Sequence, residues 1–600
     1  MENKEYIRKY KDRDLFKKLF KYLRPVLPMF ILCLFFVLVL VVLDLMPSFV
    51  VGEVINILDG DSKIFTNLAT NEEKMNAVRM LVLLFLLVLV VSVALNYFYQ
   101  RTLQNIGQKM IYKVREDTFN HLEELTIGQI NKQPIGKLVT RVTNDTNALS
   151  DLFTSVLVLL IRYLLTIIVI YVVMWTSSVK LTAFITIVIP IILASAYFFR
   201  RISRKAYREV RNNLSQMNSY LSENLSGMKV TQIFNQEEKK YLEFKERNLE
   251  LKKANLHQIF VFSVFRPFMY FLFVVCVFIT LYFGSLEVKE GTMLIGSLVT
   301  YYSLVGKFFN PIENLAEQFN QLQSALASCE KIFTVLDTEV EIVDSKDAID
   351  PGKLKGKIEF KHVWFEYNPG VWILKDVSFT IEAGQTCAFV GATGAGKTTI
   401  LSLICRNYEF QKGEILIDGI DIRKIKISAL RRNIGQMLQD VFLFSGKIRD
   451  NITIYDNKYT DEEIMSSARY VNADKLIEKY PDKLDHEVEE RGSNYSSGER
   501  QLISFARTLL TKPNIMILDE ATANIDTETE QIIQDSLEKM MNVGTMLIVA
   551  HRLSTIQHAD KIVVLNHGEI VEEGNHQELL KKKGMYFALY ELQYKHMEKN

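Results

Sequence analysis

The chain has 600 residues, too many for one hydrophobic core; at roughly 100–200 residues per domain it needs three or four domain-sized units. Its 71 basic and 70 acidic side chains leave a net charge of +1, which excludes a polyelectrolyte tail and gives no footprint for nucleic acid. With 37 Phe and 26 Tyr it is no disordered chain, and its scattered cysteines (Cys33, Cys276, Cys329, Cys387, Cys405), none in a C-x-x-C pair, make neither a disulfide scaffold nor a zinc site.

In chain order, residues 14–24 read DLFKKLFKYLR, with Leu15, Phe16, Leu19, Phe20 and Leu23 at helical spacing and lysines on the other face. Pro25 and Pro28 then break the run. This predicts an interfacial helix leading into a bilayer. Met29 to Leu43 are apolar without a break, inside a run covering 29–52, and a second run covers 78–98. About 20 such residues cross about 30 Å of hydrocarbon. Further spans are expected near 153–174, 180–199, 261–284 and 292–313, giving six; Gly, Ser and Tyr interrupt the fourth and sixth. The first run is too long for a signal-peptide core and ends without a small-residue cleavage site, so it is expected to be retained.

Lys and Arg crowd residues 1–24, 101–150 and 200–257, whereas 53–77 holds Lys63 and Lys74 against Glu53, Asp59, Asp61, Glu72 and Glu73. The positive-inside rule therefore places the N-terminus, both long connections and everything after about residue 320 in the cytoplasm. Residues 99–124 and 200–225 have helical periodicity and are expected to carry the spans onward out of the membrane, with breaks near Gly128–Pro134 and at Gly227. Such tips are places where another domain can dock. Asp44, Arg162 and Asn96 sit in or beside spans. Two readings are open: a substrate pathway or gate, and an ion pair within the bundle or a residue near the interface.

Beyond the polar stretch Asp337–Lys355, strand-like and helical runs alternate, the pattern of an α/β domain. The run Cys387-Ala-Phe-Val390 precedes Gly391-Ala392-Thr393-Gly394-Ala395-Gly396-Lys397-Thr398-Thr399, and Ile400–Leu403 follows as an apolar helix start. This is G-x-x-x-x-G-K-[ST] in its strand–loop–helix setting. Small residues let backbone N–H groups wrap phosphates, Lys397 reaches the β- and γ-phosphates, and Thr398 supplies an oxygen for Mg²⁺. At 515–520, Ile-Met-Ile-Leu ends in Asp519 and Glu520. Asp519 suits the Mg²⁺ shell, and Glu520 suits a base that activates or orients a water. Thr545–Ala550 is another strand and ends at His551, placed to sense a γ-phosphate.

These motifs, in this order, resemble an ATP-binding cassette exporter half-transporter of the type IV exporter fold. The resemblance implies a multi-domain membrane protein, an all-α six-helix transmembrane domain followed by an α/β P-loop nucleotide-binding domain. The corresponding boundaries are an elbow helix at 1–25, the membrane domain at 26–325, a linker at 326–355 and the nucleotide-binding domain at 356–600. It further implies that Tyr367 stacks on adenine and that Gln439, in Met-Leu-Gln-Asp, is the residue that links Mg²⁺ and water to the membrane domain. Glu490 then contacts the coupling helices, Ser496, Gly498 and Glu499 occupy the signature, Asp526 is the D-loop residue and His551 the switch. ATP and Mg²⁺ are the implied cofactors, and the implied setting is multi-pass in the plasma (inner) membrane.

The family's usual signature is Leu-Ser-Gly-Gly-Gln; here it reads Tyr495-Ser496-Ser497-Gly498-Glu499. Since each ATP in this family lies between one chain's phosphate loop and the other's signature, an altered signature beside an intact Glu520 and His551 resembles one subunit of a heterodimeric multidrug exporter. The implied partners are a second half-transporter chain with an intact signature, the lipid bilayer and a small amphipathic substrate, with no nucleic acid. A lipid flippase or peptide exporter of the same fold is the alternative reading.

Overall fold

The computed structural model describes residues 10–62, 64–65, 70–438, 440–519, 527–549 and 556–597. The chain divides into two compact units, one comprising residues up to 123 together with 135–338, the other 124–134 together with 339–600.

The first unit is helical throughout. Helix α1 (Asp12–Leu23) is followed by α2 (Leu27–Leu43) and α3 (Met46–Asp59), then α4 (Asn71–Glu124). Next come α5 (Ile127–Asn131), α6 (Ile135–Thr140), α7 (Thr146–Asp151) and α8 (Val158–Ser177), with π-helical turns on either side of α7. The remaining helices are α9 (Val179–Ser226), α10 (Met228–Ile233), α11 (Glu237–Lys289) and α12 (Ile295–Leu336). Among the described residues, five helical stretches are long and apolar enough to cross a bilayer: Arg13–Asp59, Asn71–Glu124, Ile135–Ser177, Val179–Ser226 and Glu237–Lys289. The expected sixth span falls on α12, which packs in the same bundle against α3, α8 and α11. It is less apolar because Gly306, Lys307 and Asn310 interrupt its upper half.

The expected continuations out of the membrane are present. With 54 residues, α4 is about 81 Å long at 1.5 Å per residue. The predicted breaks are also there: α5 is a separate short helix, and Gly227 ends α9 before α10. Along α4, Leu83, Val90 and Val93 are exposed on this chain, as contact with hydrocarbon demands. The apolar stripe of α1 divides. Leu15 and Leu19 are fully buried in a cluster with Leu326 and Phe333 of α12, whereas Phe16 and Phe20 face outward. Helix α12 runs on to Leu336, through the first part of the expected linker.

The second unit is the expected α/β domain. Its main sheet has the order β12-β11-β3-β10-β9-β6. These strands are β3 (Thr386–Gly391), β6 (Ile434–Met437), β9 (Ile515–Asp519), β10 (Thr545–Val549), β11 (Lys561–Asn566) and β12 (Glu569–Gly574). All neighbours are parallel except β11 and β12. Strand β3 is buried from Thr386 to Phe389 and beyond, the continuous apolar run that a doubly covered parallel strand requires. An antiparallel sheet of β2 (Val371–Ile381), β1 (Ile358–Asn368), β4 (Lys412–Ile417) and β5 (Ile420–Asp421) packs on one side.

Alternation along the main sheet separates two cores. Cys387 and Phe389 join Ile358, Phe360 and Phe379, together with Ile400 and Leu401 of α13 (Lys397–Ile404). Ala388 and Val390 face the opposite way. They join Tyr495 with Leu502 and Phe505, which belong to the helix Ser497–Leu510. The helix bearing the phosphate loop and the helix bearing the signature thus pack on opposite faces of one sheet.

Candidate functional site

Strand β3 delivers the chain into the loop 391–396, and α13 begins at Lys397. Gly396 has φ +105°, and a Cβ there would meet Leu374 Cδ2 at 2.7 Å. Gly394 has φ +84° but open space where a Cβ would stand. Conformation and packing thus demand glycine at 396, and at 394 the loop leaves an open cradle before a helix N-terminus, the geometry that receives phosphate. A turn from Ala395 N–H to the Ala392 carbonyl (3.1 Å) shapes it. Lys397 is buried, and its ammonium donates to the carbonyls of Gly391 (2.8 Å) and Ala392 (3.1 Å).

Thr398, exposed at the start of α13, donates its hydroxyl to Asp519 Oδ1 at 3.3 Å. A hydroxyl and a carboxylate oxygen side by side at the end of β9 form a hard-oxygen set of the kind Mg²⁺ takes. The Tyr367 and Thr399 hydroxyls share a hydrogen bond of 3.2 Å. The Tyr367 ring stands edge-on to Phe365 and Tyr408, with centroids 4.7 and 5.0 Å away, and remains partly exposed for a flat ligand. Partial burial holds its phenol above the ordinary tyrosine value, against the lowering effect of the Thr399 bond. The fold therefore brings together Tyr367, the phosphate loop, Thr398, Thr399 and Asp519. Gln439, Glu520, Asp526 and His551 lie outside the described residues.

The signature forms its own group. Ser496 caps the helix Ser497–Leu510: its hydroxyl accepts from Glu499 N–H (3.2 Å), and Glu499 Oε2 accepts from Ser496 N–H (2.9 Å). This reciprocal box works with Glu or Gln at the third helical position. Lys479 lies 3.4 Å from the other carboxylate oxygen. The stretch expected to be the signature thus opens a capped helix and carries a counter-charge, Lys479, that sequence reading missed. Gly498 is buried in the first turn.

The segment 124–134 packs as part of this second unit. Thr126 and Gln129 close a capping box around α5, Gln129 Nε2 donates to the Glu339 carbonyl (2.7 Å), and Lys132 pairs with Glu341 (2.8 Å). Gly128 lies against Tyr408, so close that a Cβ would stand 2.5 Å from the ring. Tyr408 is the same ring that flanks Tyr367. The segment 124–134 thus touches the aromatic layer behind Tyr367.

In the helical unit, Arg162 of α8 donates to Asp44 at the end of α2 (2.8 Å), which realises the ion-pair reading of these two residues. Lys307 of α12 donates to the Asp44 carbonyl. It also lines a cavity of about 650 Å³ with Tyr270 and Tyr302. A lysine set between Gly306 and Phe308 was the available signal for it.

Two family models match the chain, the "ABC transporter transmembrane region" over residues 30–312 and "ABC transporter" over residues 374–523. The chain is 38% identical to a "Probable multidrug resistance ABC transporter ATP-binding/permease protein YheH" of Bacillus subtilis (strain 168), over 84% of this chain and 75% of that one. It is 32% identical to an "ATP-dependent lipid A-core flippase" of Syntrophus aciditrophicus (strain SB), over 97% and 95%. A "Fatty acid ABC transporter ATP-binding/permease protein" of Mycobacterium tuberculosis (strain CDC 1551 / Oshkosh) is 34% identical, over 84% and 80%.

Proposed function

Because the chain belongs to the ATP-binding cassette transporter family, as a multi-pass membrane ATPase whose nucleotide-binding domain is cytoplasmic, we propose that it is one half of an exporter that moves amphipathic or hydrophobic compounds out through the membrane. The observation that carries this reading is the phosphate-loop cluster of Lys397, Thr398, Asp519 and Tyr367 in a chain whose first half holds, among the described residues, five helical stretches of membrane length. The names of its relatives span drugs, lipid A-core and fatty acid, all of them amphipathic or apolar cargo.

ATP occupies the cradle with adenine on Tyr367 and its phosphates under Lys397. Thr398, Asp519 and Gln439 would hold Mg²⁺, which would supply charge neutralisation at the phosphates. In this reading Glu520 has the role of base toward the attacking water, His551 that of γ-phosphate sensor, and Asp526 that of the D-loop residue. Two chains sandwich two nucleotides, because the signature helix packs on the sheet face away from its own phosphate-loop helix and needs a facing copy to complete a site. Closure passes through α5 and the Gly128–Tyr408 contact into the spans, and a shift between inward and outward states follows.

Glu499 supports a heterodimer: a carboxylate close to the phosphate position would weaken that half-site and leave the partner to supply the intact signature. The Lys479–Glu499 pair favours a second reading, a homodimer in which the charge is balanced. Co-purification of the tagged chain from its own cells decides between them. The export reading is tested with proteoliposomes. Glu520→Gln should retain ATP binding while hydrolysis and ATP-driven uptake of an amphipathic dye fall by about 10²–10⁴, the range for loss of a general base. Normal turnover in the variant would remove Glu520 from that role, and dye movement that ignores ATP would remove export.

A further inference from the structure

A cavity of about 970 Å³ lies in the helical unit among α9, α11 and α12. Its volume is that of a site for a drug-sized ligand. Its wall combines two chemistries. Phe199 stacks on Phe265 with centroids 3.8 Å apart, and Phe262 stands edge-on to Phe199 at 5.1 Å, making one side apolar. The other side carries Arg204, Arg208, Arg211 and Arg266, and among the described residues the lining carboxylate is Glu317. Arg204 is tied to Gln323 Oε1 at 2.7 Å. Among the described residues Arg208, Arg211 and Arg266 have no acidic partner, and the nearby carboxylate of Glu209 is engaged by His257.

The level of this cavity along the helices gives it meaning. The apolar stretch of α9 starts at Val179, and 30 Å of hydrocarbon takes about 20 residues, so the stretch runs out near Phe199. Arg204 follows little more than a turn later. On α11, Arg266 stands five residues into the expected span 261–284, close enough to its cytoplasmic end for the long side chain to reach the headgroups. The aromatic wall therefore lies at the edge of the hydrocarbon, and the guanidinium groups lie at headgroup depth on the cytoplasmic side. Several like charges converging beside an apolar wall repel one another and repel cations. An oxyanion accepts their fork-like donors, and an attached alkyl chain covers the phenylalanines.

We propose that this cavity seats the head of an anionic amphiphile, a phosphate or carboxylate on an apolar tail, taken from the cytoplasmic leaflet. The proposal rests on the export reading above and names its substrate class: anionic rather than cationic amphiphiles.

The test uses the full chain, with any subunit that co-purifies, in phosphatidylcholine nanodiscs. The probes are hexadecyl phosphate and hexadecyl trimethylammonium, each with a photoactivatable diazirine in the chain, and the readout is labelling mapped to residues 199–214 and 258–266. The phosphate probe should label these peptides and the ammonium probe should not. In the variant R208Q/R211Q/R266Q labelling should fall about tenfold or more, as expected from loss of charge-assisted hydrogen bonds, whereas R208K/R211K/R266K should keep much of it. Equal labelling by both probes, or unchanged labelling in the glutamine variant, would overturn the proposal. If the glutamine variant fails to fold, the contrast between the two probes on the natural chain decides alone.

Phosphatidylglycerol added to the bilayer should displace the probe, which identifies a lipid head as the source. Displacement by excess inorganic phosphate would overturn the amphiphile in favour of a soluble anion. ATP-driven movement of a neutral amphipathic dye is read separately in vesicles. Dye movement without selective labelling refutes the cavity and leaves export standing. Selective labelling without ATP-driven movement of any probe keeps the cavity and removes export.

Discussion

Replacing Lys397 by alanine should weaken ATP binding, and the unliganded geometry sets by how much. The ammonium is buried and already donates to two neutral carbonyls, those of Gly391 and Ala392. Nucleotide binding therefore exchanges existing bonds rather than creating them from nothing. The ammonium–carbonyl bonds already have one charged partner and are worth about 1.5 kcal/mol each, the low end of that class, while bonds from ammonium to phosphate, charged on both sides, are worth about 2–3 kcal/mol each. Two exchanges leave a difference of about 1–3 kcal/mol, which is roughly fivefold to 150-fold in affinity. The alanine variant also strips both carbonyls of a donor, but they lie at an open loop and water replaces it. The assay is a titration of purified protein with a fluorescent ATP analogue, with the thermal midpoint recorded to confirm folding. An affinity change below about twofold in a folded variant, under about 0.4 kcal/mol, would refute the placement of Lys397 over the phosphates.

Gly128→Ala puts a methyl group 2.5 Å from the Tyr408 ring. An overpacked contact of this kind costs about 1–3 kcal/mol, and substrate-stimulated hydrolysis should fall further than ATP affinity; equal losses would mean that Gly128 is not part of the coupling route. Glu499→Gln should change the unfolding free energy by no more than about 1 kcal/mol, because glutamine keeps the capping box and the lost pair has an exposed Lys479 at its other end; calorimetry showing a much larger loss would mean the carboxylate does more than cap. Burial pushes the Cys387 and Cys405 thiols up to about 12. Folding thus favours their neutral form, and this contribution is complete below the ordinary thiol value near ~8.5 and declines as pH rises above it. At pH 8 both should resist maleimide in the folded domain and react on unfolding; ready labelling of the native protein would contradict their burial.

Local chemistry explains what was legible in the residues alone. A phosphate loop is a property of consecutive backbone torsions, so Gly391–Thr399 announces itself without any distant partner. Bilayer thickness sets the length of an apolar run, so the spans in α2, α4, α8, α9 and α11 can be read one by one, while Lys307 and Asn310 make α12 less distinct. Gly128–Pro134 and Gly227 mark helix ends because they interrupt helical geometry where they stand.

Partnerships across the fold were a different matter. Asp44 and Arg162 are 118 positions apart, and two readings stayed open until the packing of α8 beside α2 brought them together. Gly128 reads as a helix breaker; its role as a seat for Tyr408 appears only once the tip and the domain are folded as one unit. Glu499 reads as a departure from the signature, yet in the structure it completes a cap and meets Lys479. The arginines of α9 look like an ordinary cytoplasmic basic stretch, and only the rotation of α9 against α11 and α12 turns three of them toward Arg266 and the phenylalanines. The sequence by itself determined the solvent each segment requires and the torsions each loop adopts, since both depend on neighbouring residues. Which side chains face one another depends on helix rotation and sheet alternation, and tertiary packing alone decided it.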